Sequence, residues 1–265
     1  MRLEEKFELL KKKKEKAFMA HVYCGDPSIE FSERLIKALE NGGIDILELG
    51  IPFSDPIADG KVFMQACQRA LDNKIRPEHV FLLAKKLRKN GFNMPIILTT
   101  YYNIIYQKGI ANFVDKLAEC QIQGVIVPDL PLEESGELKK ECDKKGIHLI
   151  YLIAPTTTYE RIGKILEAAS GFVYVVSVTG VTGTSKKAKE NIKETVKKIR
   201  KLSSIPLLIG FGIAKPEHIN NLKDVDVNGY IVGSEICRLY QKEGSEKEKL
   251  ERIELFAKEI KEVCK

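Results

Sequence analysis

The sequence contains no long apolar run. None of its hydrophobic stretches approaches the roughly 20 residues that a helix needs to span a bilayer, and the N-terminal segment MRLEEKFELLKKKKEKAF lacks the apolar core of a signal peptide. Apolar residues make up 44% of the chain and charged residues 30%, a balance typical of globular proteins. We therefore expect a cytoplasmic protein that is neither secreted nor inserted in a membrane.

Metal-binding spacings are also absent. The four histidines form no H-x-x-x-H pair, and the six cysteines form no C-x-x-C pair. We therefore predict no metal site. The even number of cysteines allows disulfides, but scattered cysteines in a chain without a signal peptide are more typical of reduced, buried thiols.

Acidic residues are fewer than basic ones, which leaves a formal net charge of +6. The densest basic run, KKKKEK at 11–16, has the charge of a nucleic-acid or membrane patch, but no aromatic residues interleave with it. We interpret it as the solvated face of a lysine-rich helix and predict no nucleic acid or membrane partner. A positive surface still attracts an anionic substrate.

Short apolar runs alternate with amphipathic helical patterns along the whole chain. Runs with both faces apolar are typical of parallel strands that helices cover on both sides. Helical patterns such as IEFSERLIKALENGG (29–43) lie between them. The eight runs are FMAHVYC (18–24), DILELGI (45–51), MPIILTT (94–100), GVIVPD (124–129), IHLIYLIA (147–154), GFVYVVSV (171–178), IPLLIGFG (205–212) and GYIVGS (229–234).

Eight strand–helix units in about 250 residues predict an α/β protein of the (β/α)8 TIM barrel class. An open doubly wound sheet is the alternative, but eight units are many for it and no G-x-G-x-x-G follows the first strand. No linker divides the chain, so we predict a single domain over residues 1–265. An extra N-terminal helix is expected at 2–13, and SEKEKLERIELFAKEIKEV (245–263) predicts a final helix outside the barrel.

A carboxylate interrupts the second strand, in the segment DILELGIPFSDPIADG (45–60). Alternation places Ile46, Glu48 and Gly50 on one face, so Glu48 points into the barrel mouth if the other face packs against helices. Partial desolvation there raises the pKa of a carboxyl, as a general acid at neutral pH requires. The alternative is a structural glutamate paired with a lysine or arginine inside the barrel.

The loop after this strand, from Ile51 to Gly60, carries two prolines and the two acids Asp55 and Asp59. Either aspartate alone is typical of a turn. The whole loop is typical of a lid or a partner-contact segment that brings an acid over an active site.

Glycines follow the last three strands, in SVTGVTGTS (177–185), IGFGIAKPEHI (209–219) and VGSEI (232–236). Glycine lets backbone N–H groups approach an anion closely, and VGSEI leads directly into a helix N-terminus. Barrels commonly bind phosphate through the loops after their seventh and eighth strands. We therefore predict a phosphate site and a small phosphorylated substrate.

Two further polar side chains stand near strand ends. Tyr174 either contacts the substrate or Glu48 through its hydroxyl, or is a packed core tyrosine. Asp129, in VPDLPLEES, either accepts a hydrogen bond from the substrate or caps the following helix.

These segments resemble one family closely, the tryptophan synthase α chain. LELGIPFSDPIADG, VPDLPLEES, SVTGVTG, GFGI and VGS occur in the family's order and at its spacing, over essentially the whole chain. The resemblance implies a lyase that cleaves indole-3-glycerol phosphate into indole and glyceraldehyde 3-phosphate by a retro-aldol reaction, with no cofactor in this chain. It also implies a β-chain partner that carries pyridoxal phosphate, in an α2β2 heterotetramer.

The resemblance also assigns roles to individual residues. Glu48 becomes the acid that protonates the indole ring and the base for the glycerol hydroxyl, and Asp59 the acid that stabilises charge at the indole nitrogen. Tyr174 matches the tyrosine that orients the glutamate. Residues that match the indole pocket, its flank or the mobile loop are Tyr101, Ile126, Asp129 and Thr182. Residues that match the phosphate ligands are Gly183, Phe211, Gly212, Gly233 and Ser234.

The chain departs from the family at two places. After ADG the family usually has proline and then Ile-Gln, whereas this chain has KVFM, Lys61 to Met64, in a segment expected to face the β chain. His21 stands where the family tends to have an apolar residue near the indole. It is either a satisfied core histidine or a residue that narrows the pocket and alters turnover.

Three other functions compete with this interpretation. Another phosphate-binding barrel, such as an isomerase or aldolase, would have a Schiff-base lysine or a Glu–His pair at the strand ends. A non-catalytic activating partner would have lost Glu48 or Asp59, and both are present. A free-standing lyase that releases indole stays open, because the segment from Lys61 to Met64 is altered.

Overall fold

The computed structural model describes residues 1–176, 186–210 and 212–265. Within these ranges parallel strands alternate with helices, as the sequence predicts. The nine strands are β1 (Ala17–Tyr23), β2 (Ile46–Gly50), β3 (Ile96–Thr99), β4 (Gly124–Ile126), β5 (His148–Ile150), β6 (Leu152–Ile153), β7 (Val173–Val176), β8 (Leu207–Gly210) and β9 (Gly229–Val232).

The helices among the described residues include both of the terminal helices that the sequence predicts, α1 and α12. A single 3-10 turn lies at Leu132–Glu134 in the same part of the chain. The α-helices are α1 (Leu3–Lys13), α2 (Ile29–Asn41), α3 (Lys61–Asp72), α4 (Pro77–Lys89), α5 (Tyr102–Lys108), α6 (Ile110–Glu119), α7 (Gly136–Lys144), α8 (Tyr159–Ala168), α9 (Lys186–Arg200), α10 (Pro216–Asn220), α11 (Ser234–Gln241) and α12 (Glu246–Val263).

The strands form one parallel sheet in the order β5-β4-β3-β2-β1-β9-β8-β7-β6. Its two end strands are consecutive in the chain, with Tyr151 between them, so the run predicted as one strand at 147–154 is divided. The first half pairs with β4 and the second with β7, and the Tyr151 carbonyl accepts a hydrogen bond from the Tyr174 amide at 3.0 Å. The sheet therefore curves round to meet itself. The predicted TIM barrel is confirmed and the open sheet is wrong.

Alternate side chains of each strand point into the barrel or out toward the helices. The inner core includes Met19, Ile46, Ile97 and Leu208, and a larger cluster packs between the outer faces and the helices. Helix α1 adds Leu3 and Leu10 to the inner core, so it covers the end of the barrel where the strands begin. Polar inner side chains stand at the opposite end, where the strands finish.

The six cysteines are all buried and free: Cys24, Cys67, Cys120, Cys142, Cys237 and Cys264. Burial raises the pKa of the Cys24 and Cys142 thiols to about 12, so both stay protonated and unreactive at neutral pH. The predicted burial of the cysteines is confirmed.

An ion pair with a buried carboxylate and a half-buried arginine ties the loop after β1 to α3 and α11. Arg69 of α3 donates two hydrogen bonds to the Asp26 carboxylate, at 2.7 and 2.8 Å, and Asp26 has no exposed surface. Tyr240 of α11 donates a third hydrogen bond to the same carboxylate. Because the loop carrying Asp59 leads directly into α3, these contacts also position one wall of the barrel mouth.

We predict that Arg69→Met lowers the free energy of unfolding by about 3 kcal/mol, because the buried Asp26 carboxylate loses its charged partner. The control is Arg238→Met on α11, since Arg238 forms an exposed pair with Glu235 on the same helix. Such a pair contributes at most about 0.5 kcal/mol. Urea unfolding at pH 7 measures both. A loss under about 1 kcal/mol for Arg69→Met would mean that the ion pair does not hold α3 in place.

Candidate active site

The inner carboxylate of β2 lies at the end of the barrel where the strands finish, as alternation predicts. Glu48 is 1% exposed, and its Oε1 accepts a hydrogen bond from the Thr99 hydroxyl of β3 at 2.5 Å. Its Oε2 is buried without a hydrogen-bond partner among the described residues. In the same part of the chain no lysine or arginine pairs with Glu48, which argues against a structural ion pair.

Burial raises the pKa of Glu48 to about 8, because the ionised carboxylate loses its hydration. The Thr99 hydrogen bond opposes this shift, and the nearby charge of Asp59 adds to it. The Glu48 carboxyl is therefore protonated at neutral pH and has a proton to donate.

Strand pairing places His21 of β1 directly beside Glu48 of β2. Its Nδ1 lies 3.3 Å from Glu48 Oε1, and the residue is only 6% exposed. Burial lowers the pKa of His21 to about 3, so the imidazole is neutral at neutral pH. Its Nε2 is buried and has no hydrogen-bond partner among the described residues. His21 is therefore not a core histidine with both ring nitrogens satisfied.

The loop after β2 folds back over the mouth and holds Asp59 between two tyrosines. Tyr23 of β1 donates to Asp59 Oδ2 at 2.6 Å, and Tyr101, just after β3, donates to the same oxygen at 3.0 Å. Tyr101 also accepts a hydrogen bond from the Ala58 amide at 3.1 Å. Burial raises the pKa of Asp59, while the two tyrosine hydrogen bonds oppose the rise. A second carboxyl is thus held close to Glu48.

An aromatic side chain of α3 covers the mouth beside β1 and β9. The Phe63 ring centroid lies 4.5 Å from that of His21 and 5.3 Å from that of Tyr23. The ring also packs on Gly233, where an added Cβ would come within 2.4 Å of it. Phe63 belongs to the segment from Lys61 to Met64 that departs from the family pattern. The altered segment therefore contributes a side chain to the inside of the mouth as well as to the outer face of α3.

Tyr174 of β7 belongs to the inner side of the barrel, packed against the inner core. Its hydroxyl end lies against Gly210, where an added Cβ would be 2.2 Å from Oη. Burial and then the neighbouring charge of Glu48 raise the pKa of Tyr174. The ring is therefore packed as in a core tyrosine, and the charge of Glu48 acts on its hydroxyl. Contact of this hydroxyl with the substrate stays a prediction.

Asp129 caps a helix, although not the helix that follows it. Its carboxylate oxygens accept hydrogen bonds from the Tyr102 amide, the first residue of α5, at 2.9 and 3.2 Å. The cap therefore joins the end of β4 to the segment after β3. Ile126 of β4 is 1% exposed and lies in the inner core.

The described residues of the predicted phosphate site lie at the ends of β8 and β9, which pair with each other. Gly212 follows β8 with a φ of +59°, a conformation that glycine adopts without steric cost. Gly233 follows β9, and Ser234 is the first residue of α11. The backbone amides of Gly233 and Ser234 stand at the N-terminus of α11, a position that favours binding of an anion. Thr182, Gly183 and Phe211 lie outside the described residues.

Comparison with known proteins places this chain in a family. The family model of the tryptophan synthase alpha chain matches residues 7–265. The tryptophan synthase alpha chain of Methanocaldococcus jannaschii is 48% identical over 256 residues, which cover 97% of this chain and 90% of that one. The chain belongs to the tryptophan synthase alpha chain family.

More distant members of the family are similar to this chain in sequence and in fold. The Arabidopsis thaliana tryptophan synthase alpha chain is 36% identical over 98% of this chain and 94% of its own. The crystal structure of the Legionella pneumophila tryptophan synthase subunit alpha is 31% identical and aligns with a TM-score of 0.89, over 99% of this chain and 98% of that one. A Mycobacterium tuberculosis tryptophan synthase structure aligns with a TM-score of 0.90 at 28% identity, over 99% and 97%.

Three side chains of the mouth are missing from the sequence prediction: Tyr23, Thr99 and Phe63. For the two strand residues a signal was available, because the alternation that turns Glu48 inward also turns Tyr23 and Thr99 inward. For Phe63 no such signal existed. Which side of α3 faces the mouth depends on how the preceding loop folds.

A cavity of about 380 Å³ lies beside this site, between the loop after β4 and α8. Its lining includes Asp129, Tyr151 and Arg161, but neither Glu48 nor Asp59. The candidate active site is therefore defined by the two carboxyls and their hydrogen bonds and not by this cavity. Phe63 and the loop that carries Asp59 cover the barrel mouth.

We predict that Glu48→Gln stabilises the fold at neutral pH. The pKa of Glu48 is raised from 4.5 to about 8, so the folded chain keeps a proton that the unfolded chain releases, and stability falls as the pH rises through this window. The amide never ionises. The variant should therefore gain about 3 kcal/mol at pH 7 and almost nothing near pH 4.5.

Urea unfolding at pH 7 and at pH 4.5 measures this difference. Glu167→Gln is the control, because Glu167 is exposed, and its change should stay within about 0.5 kcal/mol. If Glu48→Gln is less stable than the parent chain at pH 7, the Glu48 carboxyl is not held protonated by burial.

Proposed function

We propose that Glu48 and Asp59 are the catalytic pair of this chain. As a member of its family the chain is a lyase, the α subunit of tryptophan synthase, and it cleaves indole-3-glycerol phosphate into indole and glyceraldehyde 3-phosphate in tryptophan biosynthesis. The observation that carries the assignment is the buried Glu48 carboxyl, which is protonated at neutral pH and keeps one oxygen without a partner among the described residues.

Cleavage of the bond between indole C3 and the glycerol chain requires a proton at C3, since the ring would otherwise leave as a carbanion. A carboxyl with a pKa of about 8 holds that proton at neutral pH. Thr99 occupies Oε1, so Oε2 is the atom that we assign to the proton delivered to C3.

Protonation at C3 places positive charge on the indole nitrogen. We assign its stabilisation to Asp59, since a fixed negative charge aimed at a developing positive charge lowers the barrier. The hydrogen bonds from Tyr23 and Tyr101 favour the ionised form of Asp59 and fix its position. Two carboxyls in different environments thereby take different roles.

The remaining assignments follow the pocket from the indole to the phosphate. Tyr101 and Ile126 line the indole side, Tyr174 orients Glu48, and Asp129 acts through its cap on α5. We assign the phosphate to the backbone amides at Gly212, Gly233 and Ser234. The roles of Thr182, Gly183 and Phe211 rest on the resemblance alone.

Family membership favours this lyase over another phosphate-binding barrel enzyme. The one observation in favour of an isomerase or aldolase is the contact between His21 and Glu48, because such enzymes were expected to have a Glu–His pair at their strand ends. With Glu48 as the acid of the lyase, the same pair in this chain would lie beside the bond that breaks.

The α chain uses no cofactor of its own and works with a β chain that carries pyridoxal phosphate. We propose an α2β2 assembly in which the loop after β2 and the start of α3 contact the β chain. Two exposed apolar side chains support this face, Ile57 at 81% and Met64 at 48% exposure.

Two absences concern the described part of the chain. None of its helices is long and apolar enough to cross a membrane. It also holds no group of three or more His, Cys, Asp or Glu side chains that could bind a metal ion. We propose that the protein is cytoplasmic and that residues 1–265 form one barrel domain.

For activity we predict that Glu48→Gln lowers kcat for indole-3-glycerol phosphate cleavage by at least about 1000-fold, and Asp59→Asn by about 100-fold. Asp55→Asn is the matched control, because Asp55 lies in the same loop, is exposed and accepts a hydrogen bond from Ser54. In the parent chain kcat/KM should fall above about pH 8, where Glu48 loses its proton.

Steady-state assays across pH and a binding titration of the same substrate test this assignment. Binding should survive in Glu48→Gln, which separates lost chemistry from a lost site. Near-normal cleavage by Glu48→Gln would remove Glu48 from the mechanism.

For the complex we predict that Ile57→Asp weakens binding of the cognate β chain by at least about tenfold, because a charge enters an apolar contact. The control is Leu82→Asp on α4, which is 62% exposed and lies away from this loop. Isothermal titration of each variant with the β chain gives both dissociation constants. Equal effects of the two substitutions would place the β chain elsewhere.

A further inference from the structure

His21 presents one ring nitrogen to Glu48 and the other to the barrel mouth. Nδ1 lies 3.3 Å from Glu48 Oε1. Nε2 lies above Gly50, the next inward position after Glu48 on β2, where an added Cβ would be 3.1 Å from it. The ring therefore stands beside the carboxyl and extends from it toward the open end of the barrel.

Nε2 has no hydrogen-bond partner among the described residues, although it is buried. An unpaired buried polar atom is rare because it loses water without gaining a partner. On the inner face of the described mouth the other such atom is Glu48 Oε2, which is assigned above to the proton for C3. Two unpaired atoms on neighbouring side chains indicate two contacts that a bound substrate completes.

The groups around His21 decide what kind of contact it makes. Phe63 and Tyr23 pack against the ring. The titratable groups that face it are Glu48 of β2 and Tyr23 of β1. The Tyr23 hydroxyl itself donates a hydrogen bond to Asp59. No positive side chain neighbours the ring in the described part of the chain. A neutral imidazole with its N–H toward Glu48 Oε1 presents the lone pair of Nε2 to the mouth.

We propose that His21 is a further catalytic residue: Nε2 accepts the hydrogen of the substrate hydroxyl on the carbon bonded to indole C3, and removes that proton as the carbon–carbon bond breaks. The proposal rests on the proposed function. It divides between two side chains the acid and base roles that the family resemblance gives to Glu48 alone.

The step balances in atoms and electrons. Glu48 Oε2 gives its proton to C3, and the ring becomes an iminium ion. Nε2 then takes the hydroxyl proton, and the electron pair of the O–H bond forms the aldehyde C=O bond. The electron pair of the bond between C3 and the glycerol carbon returns to the ring as the C2=C3 double bond. The indole nitrogen thereby recovers its lone pair. Indole, the aldehyde phosphate, a Glu48 carboxylate and a His21 imidazolium remain. Transfer of the proton from His21 back to Glu48 restores the initial protonation states of both side chains.

The contact between the two side chains makes His21 a base at the stage where one is needed. While Glu48 is protonated, burial keeps the pKa of His21 low and the ring neutral. Once Glu48 has given up its proton, a carboxylate stands 3.3 Å from Nδ1 and stabilises the imidazolium. Proton donation by Glu48 therefore prepares proton removal by His21.

Two substitutions test the proposal. His21→Phe keeps an aromatic ring of similar shape beside Phe63 and Tyr23, and His21→Gln keeps a hydrogen-bond acceptor but cannot serve as a base. We expect both to lower kcat for indole-3-glycerol phosphate cleavage by about 100-fold. KM should rise only in His21→Phe, because only that variant loses the hydrogen bond to the hydroxyl. A kcat within threefold of the parent value for His21→Phe overturns the proposal.

A binding experiment separates contact with the hydroxyl from a merely structural role. In a Glu48→Gln background, where the substrate is not cleaved, adding His21→Phe should weaken binding of indole-3-glycerol phosphate about fivefold. Binding of the analogue that lacks only the hydroxyl on the carbon bonded to C3 should not change. Equal weakening for both ligands, or for neither, shows that Nε2 does not contact the hydroxyl.

The same assays distinguish failure of this inference from failure of the proposed function. Cleavage that persists in Glu48→Gln overturns the catalytic pair whatever His21 does. An inactive Glu48→Gln together with a fully active His21→Phe leaves the catalytic pair intact and returns the base role to Glu48.

Discussion

Desolvation of a single carboxyl is the constraint on which the rest of this structure depends. The barrel takes Glu48 out of water and so raises its pKa to about 8, which is the property that the proposed acid role requires. A parallel barrel provides such a place at low cost, since the backbone polar groups around the site are already paired in the sheet. The same Glu48 on an exposed helix would be ionised at neutral pH and would have no proton to give.

Several unrelated elements serve this one requirement. Phe63 and the loop that carries Asp59 cover the mouth, and the tyrosines on β1 and after β3 hold that loop down. The ion pair between Arg69 and Asp26 fixes the helix from which Phe63 projects. The cover must also open for the substrate, so it is built from a loop and a helix end, while the acid itself stands on a strand.

Much of the barrel was predictable because it follows from short-range regularities. Runs with both faces apolar predicted the parallel strands, and alternation predicted that Glu48 faces inward. The break at Tyr151 was not predictable, because it depends on which neighbour each half of the run pairs with after the sheet has closed. Asp129 likewise caps α5, which precedes it in the chain, because β3 and β4 are neighbours in the sheet.

The sequence by itself determined the fold class and the family and predicted the two carboxyls of the proposed site, because each follows from local pattern and from the order of motifs. Tertiary structure alone decided the pKa of each carboxyl and therefore its protonation state at neutral pH. A pKa depends on burial and on neighbours that are distant in the chain, such as Thr99 and His21 around Glu48, or Tyr23 and Tyr101 around Asp59. The proposed role of His21 also depends on tertiary structure, since the surroundings of its unpaired nitrogen exist only where β1, β2 and α3 meet.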